Sequence, residues 1–374
     1  MYKTRSMTQS VCGPGGASIE IALPRVSTPA PRRAHDRLPD GIWRTIFLSC
    51  LDHTRAHTRN RAPVVFLRVC HRWRDVARGV PELWSTIYPS FAHPKLISLF
   101  LELSANRPLS LYCGPVLSCA DPGLGKRTRD TFEAFLLEVH RWKHVTFDLG
   151  ETQAKRLATR LTTGSAPMLT LLSLDLDQVP HRLLSPLGKA IALACPNLKS
   201  LTLANPDGDH YPFEDFPLHR VQHASMTGPL VEEDAVRFIS LCRRAEAIYM
   251  NAFGTRTLFQ PPSSPVPQPA LKRLHLITHG DPVPILKSFS LPNLKELNVE
   301  VNRPNIKNRE CLLDYFEAAE FKLSWLSLRD AGQQDPIMGK IYRAPAVNFA
   351  ASLSNEPDPS KMPPVVPFRY VVDF

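Results

Sequence analysis

The chain has 374 residues, a formal net charge of +10, 43% hydrophobic residues, 36 prolines and eight cysteines. That length accommodates two or three domains and a sizeable core, and proline usage about twice the average points to folded units separated by irregular runs. Eight cysteines over this length are too few for a disulfide scaffold, and they include no Cys-x-x-Cys pair and no zinc-ligand spacing.

The opening MYKTRSMTQSVCGPGG lacks the apolar centre of a signal peptide, and no apolar run approaches membrane-spanning length. The expected setting is therefore the cytoplasm or the nucleus, with reduced thiols and no membrane contact. Residues 1–35 are rich in Ser, Thr, Pro, Gly and Arg without an apolar period, which predicts a disordered leader. Lys3, Arg5, Arg25, Arg32 and Arg33 make it basic, but too loosely for a nuclear-import cluster.

Residues 36–90 read as a small helical module. Leu38-Pro39 is an extended lead-in, because proline fixes its own φ and biases the residue before it away from helix. Asp40 is placed to cap a first helix whose apolar face is Ile42, Ile46, Phe47, Cys50 and Leu51. After an arginine-rich break at 52–61, Pro63 opens a second helix carrying Val64, Phe66, Leu67, Val69 and Cys70. A third, with Trp73, Val76 and Ala77, stops at Gly79 before Pro81, and Leu83-Trp84 anchors the next segment of the chain. Three short helices bury too little apolar surface to stand alone, so the rest of the chain or a partner must cover them.

Leu-Pro, an Ile-Phe pair half a dozen residues on, Leu-x-Val-Cys-x-x-Trp, an Ala four after the Trp and a Pro-x-Leu-Trp exit together resemble an F-box. With the longer loop between the first two helices, they are most similar to the F-box-like proteins of mushroom-forming fungi. The segments ISLFLELSANRPLSLYC and LLEVHRWKHVTFDL resemble the stretches C-terminal to the F-box in the same proteins. One departure stands out: Gly41, Ile42 and Trp43 replace the family's acidic residue and aliphatic pair. A glycine in a first helical turn costs up to about 1 kcal/mol.

The resemblance implies a non-catalytic adaptor of a Skp–cullin–F-box ubiquitin ligase, a monomer within a larger complex. Its helical module would dock on a Skp-type adaptor, and through it on a cullin–RING ligase. By the family's pattern Leu38, Pro39, Ile42, Ile46, Phe47, Leu67 and Cys70 make that contact, while Trp73 and Trp84 are structural anchors.

From residue 95 to 330 the period changes. An apolar pair separated by one residue, preceded three positions earlier by another apolar residue, recurs through the chain. It begins as Leu109-x-Leu111 and continues from Trp142, Leu169, Leu198, a weak Leu218-x-x-Val221, Ala245, Leu271, Leu294 and Leu323. From Trp142 the steps are 27, 29, 20, 27, 26, 23 and 29 residues, within the leucine-rich-repeat range. Thr131–His140, Leu183–Ala194 and Asp234–Cys242 carry helical spacing between the strands, and near-copies of Pro-Asn-Leu-Lys precede three of them, at 196, 269 and 292. No asparagine ladder is evident. The expected fold is α+β: a three-helix module followed by an irregular α/β leucine-rich-repeat-like solenoid. Residues 259–270 form an exposed proline-rich loop, and 331–374 a loop-like tail with a final strand at Phe368–Phe374.

Catalytic patterns fail one by one. Gly123-Leu124-Gly125-Lys126 lacks the first glycine and the Ser/Thr of a phosphate loop, and His53/His57 lack the glutamate of a zinc helix. Asp207-Gly208-Asp209-His210 is a turn composition. No cofactor or metal is expected. Arg55, Arg59, Arg61, Arg68, Arg72, Arg74 and Arg78 keep a nucleic-acid-associated protein as one alternative. No basic–aromatic motif supports it. The other alternative is a protein-binding repeat protein whose decayed F-box is only a cap.

Overall fold

The computed structural model describes residues 38–52, 61–88, 94–113, 122–204, 211–252, 259–278, 281–301, 315, 323–330 and 341–342. The basic leader, His53 and His57, the Asp207–His210 segment and Phe368–Phe374 lie outside the described residues.

Three short helices open the fold: α1 (Asp40–Asp52), α2 (Arg61–Val69) and α3 (His71–Arg78). A single 3-10 turn at Pro81–Trp84 leads to β1 (Thr86–Ile87), α4 (Pro94–Leu103), β2 (Leu109–Cys113), α5 (Pro122–Leu137), β3 (Trp142–Gly150) and α6 (Glu151–Arg160). Then come β4 (Leu171–Gln178), α7 (His181–Ala194), β5 (Ser200–Ala204), β6 (His223–Leu230), α8 (Glu232–Leu241), β7 (Ala247–Ala252), β8 (Val266–Pro267) and β9 (Arg273–Thr278). The described part closes with α9 (Val283–Lys287), β10 (Phe289–Ser290), β11 (Glu296–Val301), β12 (Trp325–Asp330) and β13 (Ile341–Tyr342).

The result is a mixed α/β fold around one large sheet of 11 strands, ordered β1-β2-β3-β4-β5-β6-β7-β9-β11-β12-β13. Strand order follows chain order, and neighbours are parallel except for β13, which runs antiparallel to β12. Parallel neighbours need a return crossover, which the intervening helices and turns supply.

Register explains the apolar pairs. Ile87, Leu111, Val145, Leu172, Leu201, Ala224, Ile248, Leu274 and Leu297 align in one row across nine strands, and all are buried. A second buried row runs two residues further on, from Cys113 through Phe147, Leu174, Leu203, Met226, Met250 and Leu276 to Val299. The period of two puts both residues of each pair on the face that the helices cover.

Two predicted repeats are misplaced: in β2 the two rows take Leu111 and Cys113, not Leu109 and Leu111. In β6 the two rows take Ala224 and Met226, and Val221 stands before them rather than in the first row. The true repeat is Val221-x-x-Ala224-x-Met226, so the irregular steps of 20 and 27 become 23 and 24. An alanine at the first buried position weakened the signal. Leu218 is buried all the same, in the turn behind the aromatic cluster of Tyr211, Phe213 and Phe216.

The turns before the strands are stitched together. Main-chain N–H groups of Thr170, Lys199, Gln222, Glu246, Lys272, Lys295 and Ser324 each donate to the preceding turn, beginning with the Lys143 carbonyl, at 2.7–2.9 Å. Asparagine adds a clamp: Asn197 Nδ2 donates to the Pro167 carbonyl and Asn293 Nδ2 to that of Pro269, both at 2.8 Å. Each is the asparagine of a Pro-Asn-Leu-Lys copy holding the proline of the repeat before it.

The proline-rich stretch is largely exposed but is anchored. Its β8 pairs with β10 in a separate two-stranded sheet, and the buried Gln268 donates from Nε2 to the Ile239 carbonyl at 2.8 Å. Gly123–Lys126 lies inside α5, so it forms no phosphate-cradling loop.

Candidate protein-docking site

The module is organised by four aromatic rings. Trp43 and Phe47, one helical turn apart on α1, point inward. Phe47 stacks on Phe66 of α2, with centroids 4.2 Å apart and planes at 13°. Trp73 of α3 meets Trp43 at 4.9 Å and, edge-on, Phe47 at 5.1 Å. Each such pair contributes about 0.5–1.5 kcal/mol beyond its buried area.

With the aromatics inside, the aliphatics turn out. Ile42, Ile46 and Leu38 are 47%, 38% and 36% exposed, and on α2 Val65 and Val69, again one turn apart, are 53% and 52% exposed. This revises the predicted face of the first helix. Ile42, Ile46 and Cys50 are at the surface, while Trp43, expected only as a departure, is core. Large rings bury more area per residue than branched aliphatics and take the limited interior of a small module.

Polar contacts fix the lead-in. The Arg72 guanidinium of α3 donates to the Leu38 carbonyl and to the Asp40 carboxylate, the latter at 3.0 Å. Asp40 therefore ties α1 to α3 through Arg72. Cys70 caps α3, its Sγ accepting the Trp73 N–H at 3.5 Å, and Arg74 Nε donates to the Leu67 carbonyl at 3.0 Å.

Of the predicted contact residues, Leu38, Pro39, Ile42 and Ile46 are exposed, Leu67 and Cys70 are half-buried, and Phe47 is fully buried. Phe47 can act on a docking surface only from beneath, by holding α1 on α2. Val65 escaped the sequence reading, and Val69 was placed on the second helix without a site role. Arg61, Val65, Arg68 and Val69, at i, i+4, i+7 and i+8, mark one exposed stripe of α2 that was there to be read.

Trp73 and Trp84 take different positions. Trp73 lies within the aromatic core. Trp84 is fully buried beyond it, donating its indole N–H to the Ala77 carbonyl at 2.8 Å and meeting Phe100 of α4 edge-on at 4.9 Å. Glu82 adds a charged link, reaching Arg44 of α1 at 2.8 Å and Arg107, beyond α4, at 2.7 Å.

Burial pushes the Cys113 and Cys195 thiols up to about 12, and raises Cys242 as well. Protonated thiols in apolar surroundings are poor nucleophiles and poor metal ligands. Among the described residues no group of three His, Cys, Asp or Glu side chains could hold a metal ion, and no helix is long and apolar enough to cross a membrane. The arrangement is suited to docking: an aliphatic surface laid over a stiff aromatic core. No protein-family model matches the chain, and no characterised protein matches it either.

Proposed function

We propose that the chain is a substrate-recognition adaptor of a Skp–cullin–F-box type ubiquitin ligase, built as an F-box-like module on a leucine-rich-repeat-like solenoid. The observation that carries this reading is the exposure of five large apolar side chains on the lead-in and first two helices: Leu38, Ile42, Ile46, Val65 and Val69. Apolar surface of that kind marks a partner contact. The parallel sheet would present a target, still unidentified, to the ubiquitin-charged conjugating enzyme. Catalysis would be by proximity, raising the effective concentration of a target lysine at the thioester.

The test is co-purification of the full chain with its host's Skp-type adaptor. Ile42→Ser with Ile46→Ser, and Val65→Ser with Val69→Ser, are expected to abolish a stoichiometric complex while leaving the circular dichroism unchanged. A folded wild-type chain that retains no adaptor sinks the reading.

A second reading has its own observation. Ile87, at the end of the module, lies in the first buried row of the sheet. The helices would then be a structural cap for a protein-binding repeat array, and the same co-purification separates the two.

A further inference from the structure

The edge of the sheet where the strands begin differs in charge from the edge where they end. The stitched turns carry Lys143, Lys199 and Lys295 in line, all exposed and none ion-paired among the described residues. Lys272 stands in the same line but is taken up by Glu246 at 3.0 Å. The opposite edge is acidic, with Asp148, Asp175 and Asp177 at strand ends and Glu232, Glu233 and Asp234 in the first turn of α8. Crossover helices that start at one edge and end at the other complement their dipoles this way.

The basic edge also carries apolar side chains. Leu137 ends α5 and is 63% exposed, Leu193 near the end of α7 is 59% exposed, and Met168, two residues before the Thr170 turn, is 47% exposed. The Met168 turn lies against the end of α7, since the Gly164 and Ala166 N–H groups donate to the Leu193 and Ala194 carbonyls at 3.0 and 3.1 Å.

We propose that this edge binds an extended acidic polypeptide segment with interspersed aliphatic residues, laid across the strand starts. Lys143 and Lys295 are six strands apart, roughly 29 Å at the usual strand spacing, which about nine extended residues would span. Charge complementarity calls for an acidic partner, and Leu137, Met168 and Leu193 offer it aliphatic seats. The described residues include no exposed aromatic among their large hydrophobic side chains. A polypeptide therefore fits better than a single-stranded nucleic acid, which stacks its bases on aromatic side chains. The proposal names the class of target that the adaptor reading leaves open, resting on that reading for the target's fate but not for its binding.

The experiment is fluorescence anisotropy of the full chain with three labelled probes. These are an acidic peptide with interspersed leucines, the same peptide with serine at every acid, and an oligothymidylate of matching charge. The acidic–aliphatic peptide is expected to bind and to weaken about tenfold or more when Lys143, Lys199 and Lys295 are changed to Glu. Met168→Ser with Leu193→Ser should weaken it by a similar factor. All five side chains are exposed, so thermal unfolding of the variants should match the parent. Absence of binding, binding indifferent to both sets of changes, or equal binding of the oligothymidylate would overturn the proposal. Capture of the Skp-type adaptor by the same variants is read in parallel. Its loss in the parent chain speaks against the adaptor reading alone.

Discussion

The indole of Trp84 donates to the carbonyl of Ala77 at 2.8 Å, closing the end of α3 onto the start of β1. Trp142 does the same at the next such junction but one, reaching the Phe135 carbonyl of α5 over the same seven-residue interval at 3.0 Å. The Ser110 N–H donates to the Ser85 carbonyl at 2.8 Å, as Thr170 does to Lys143. In its bonding, then, the third helix of the module leads into the sheet as α5 does at its own junction, and the module is seated directly on the array.

Trp84→Phe tests that joint. Phenylalanine keeps a ring against Phe100 but removes the indole donor from the Ala77 carbonyl, which retains the longer bond from the Val80 N–H at 3.3 Å, a loss of about 0.5–1.5 kcal/mol. Urea unfolding should show the midpoint falling while the transition stays single by both tryptophan fluorescence and far-UV circular dichroism. Two separated transitions in the parent chain would mean that the module and the array unfold independently.

Glycine tells the same story at two sites with opposite signs. A Cβ on Gly188 of α7 would stand 2.8 Å from the Phe216 ring and 3.0 Å from the Asp215 backbone, so Gly188→Ala should cost about 1–3 kcal/mol as overpacking. At Gly41 nothing lies within 4 Å, and Gly41→Ala should instead stabilise the chain by up to about 1 kcal/mol through helix propensity. Thermal melts of the two variants should move in opposite directions.

These sites also show what the sequence could and could not reveal. Leucine pairs at a narrow period announced the strands, because a half-buried strand repeats every second residue and each turn resets the count. Ala224 broke that signal, since alanine satisfies a buried row without looking apolar enough to mark it. In the module, spacing revealed three helices but not which apolar residues would win the interior. Ile42 and Trp43 are neighbours in the chain, and only packing against Trp73 decides that the ring goes in and the isoleucine out. The basic edge was only half legible: Lys199 and Lys295 end two Pro-Asn-Leu-Lys copies, but Lys143 joins their line only once the turns are in register.

Acid should weaken the fold through His144. Burial and the neighbouring Lys143 push its imidazole down to about 4, from an ordinary value of 6.5. The unfolded chain therefore takes up a proton that the folded chain refuses. Stability present above pH 6.5 is lost as pH falls toward 4. Burial and Arg273 lower His223 in the same sense. Asp148, raised by burial and by Asp175 and Asp177, acts with the opposite sign, its stabilisation belonging to low pH and fading as pH rises through its folded value. His144→Asn should flatten the drop in urea midpoint between pH 7 and pH 5 in part, and adding His223→Asn should flatten it further. An unchanged slope in the double variant would assign the acid sensitivity elsewhere.

Arg72 separates positioning from stability. Its side chain and that of Asp40 are 31% and 72% exposed, so the ion pair contributes at most about 1 kcal/mol to the global fold. Its local effect is larger, because the same guanidinium also holds the Leu38 carbonyl, and with it the exposed Leu38-Pro39 end of the docking surface. The Pro39 carbonyl in turn accepts the first N–H groups of α1, from Ile42 at 3.0 Å and Trp43 at 3.3 Å. Arg72→Met keeps the aliphatic stem and removes the donors. Hydrogen exchange at the Ile42 and Trp43 amides should accelerate while the melting temperature barely moves. Binding to the Skp-type adaptor should weaken through the lost order of Leu38. Asp40→Asn retains an acceptor for Arg72 and should sit between parent and Arg72→Met in both readouts. If Arg72→Met left amide protection and adaptor binding unchanged, Arg72 would be an ordinary surface cation, and the order of the lead-in would have to come from proline alone.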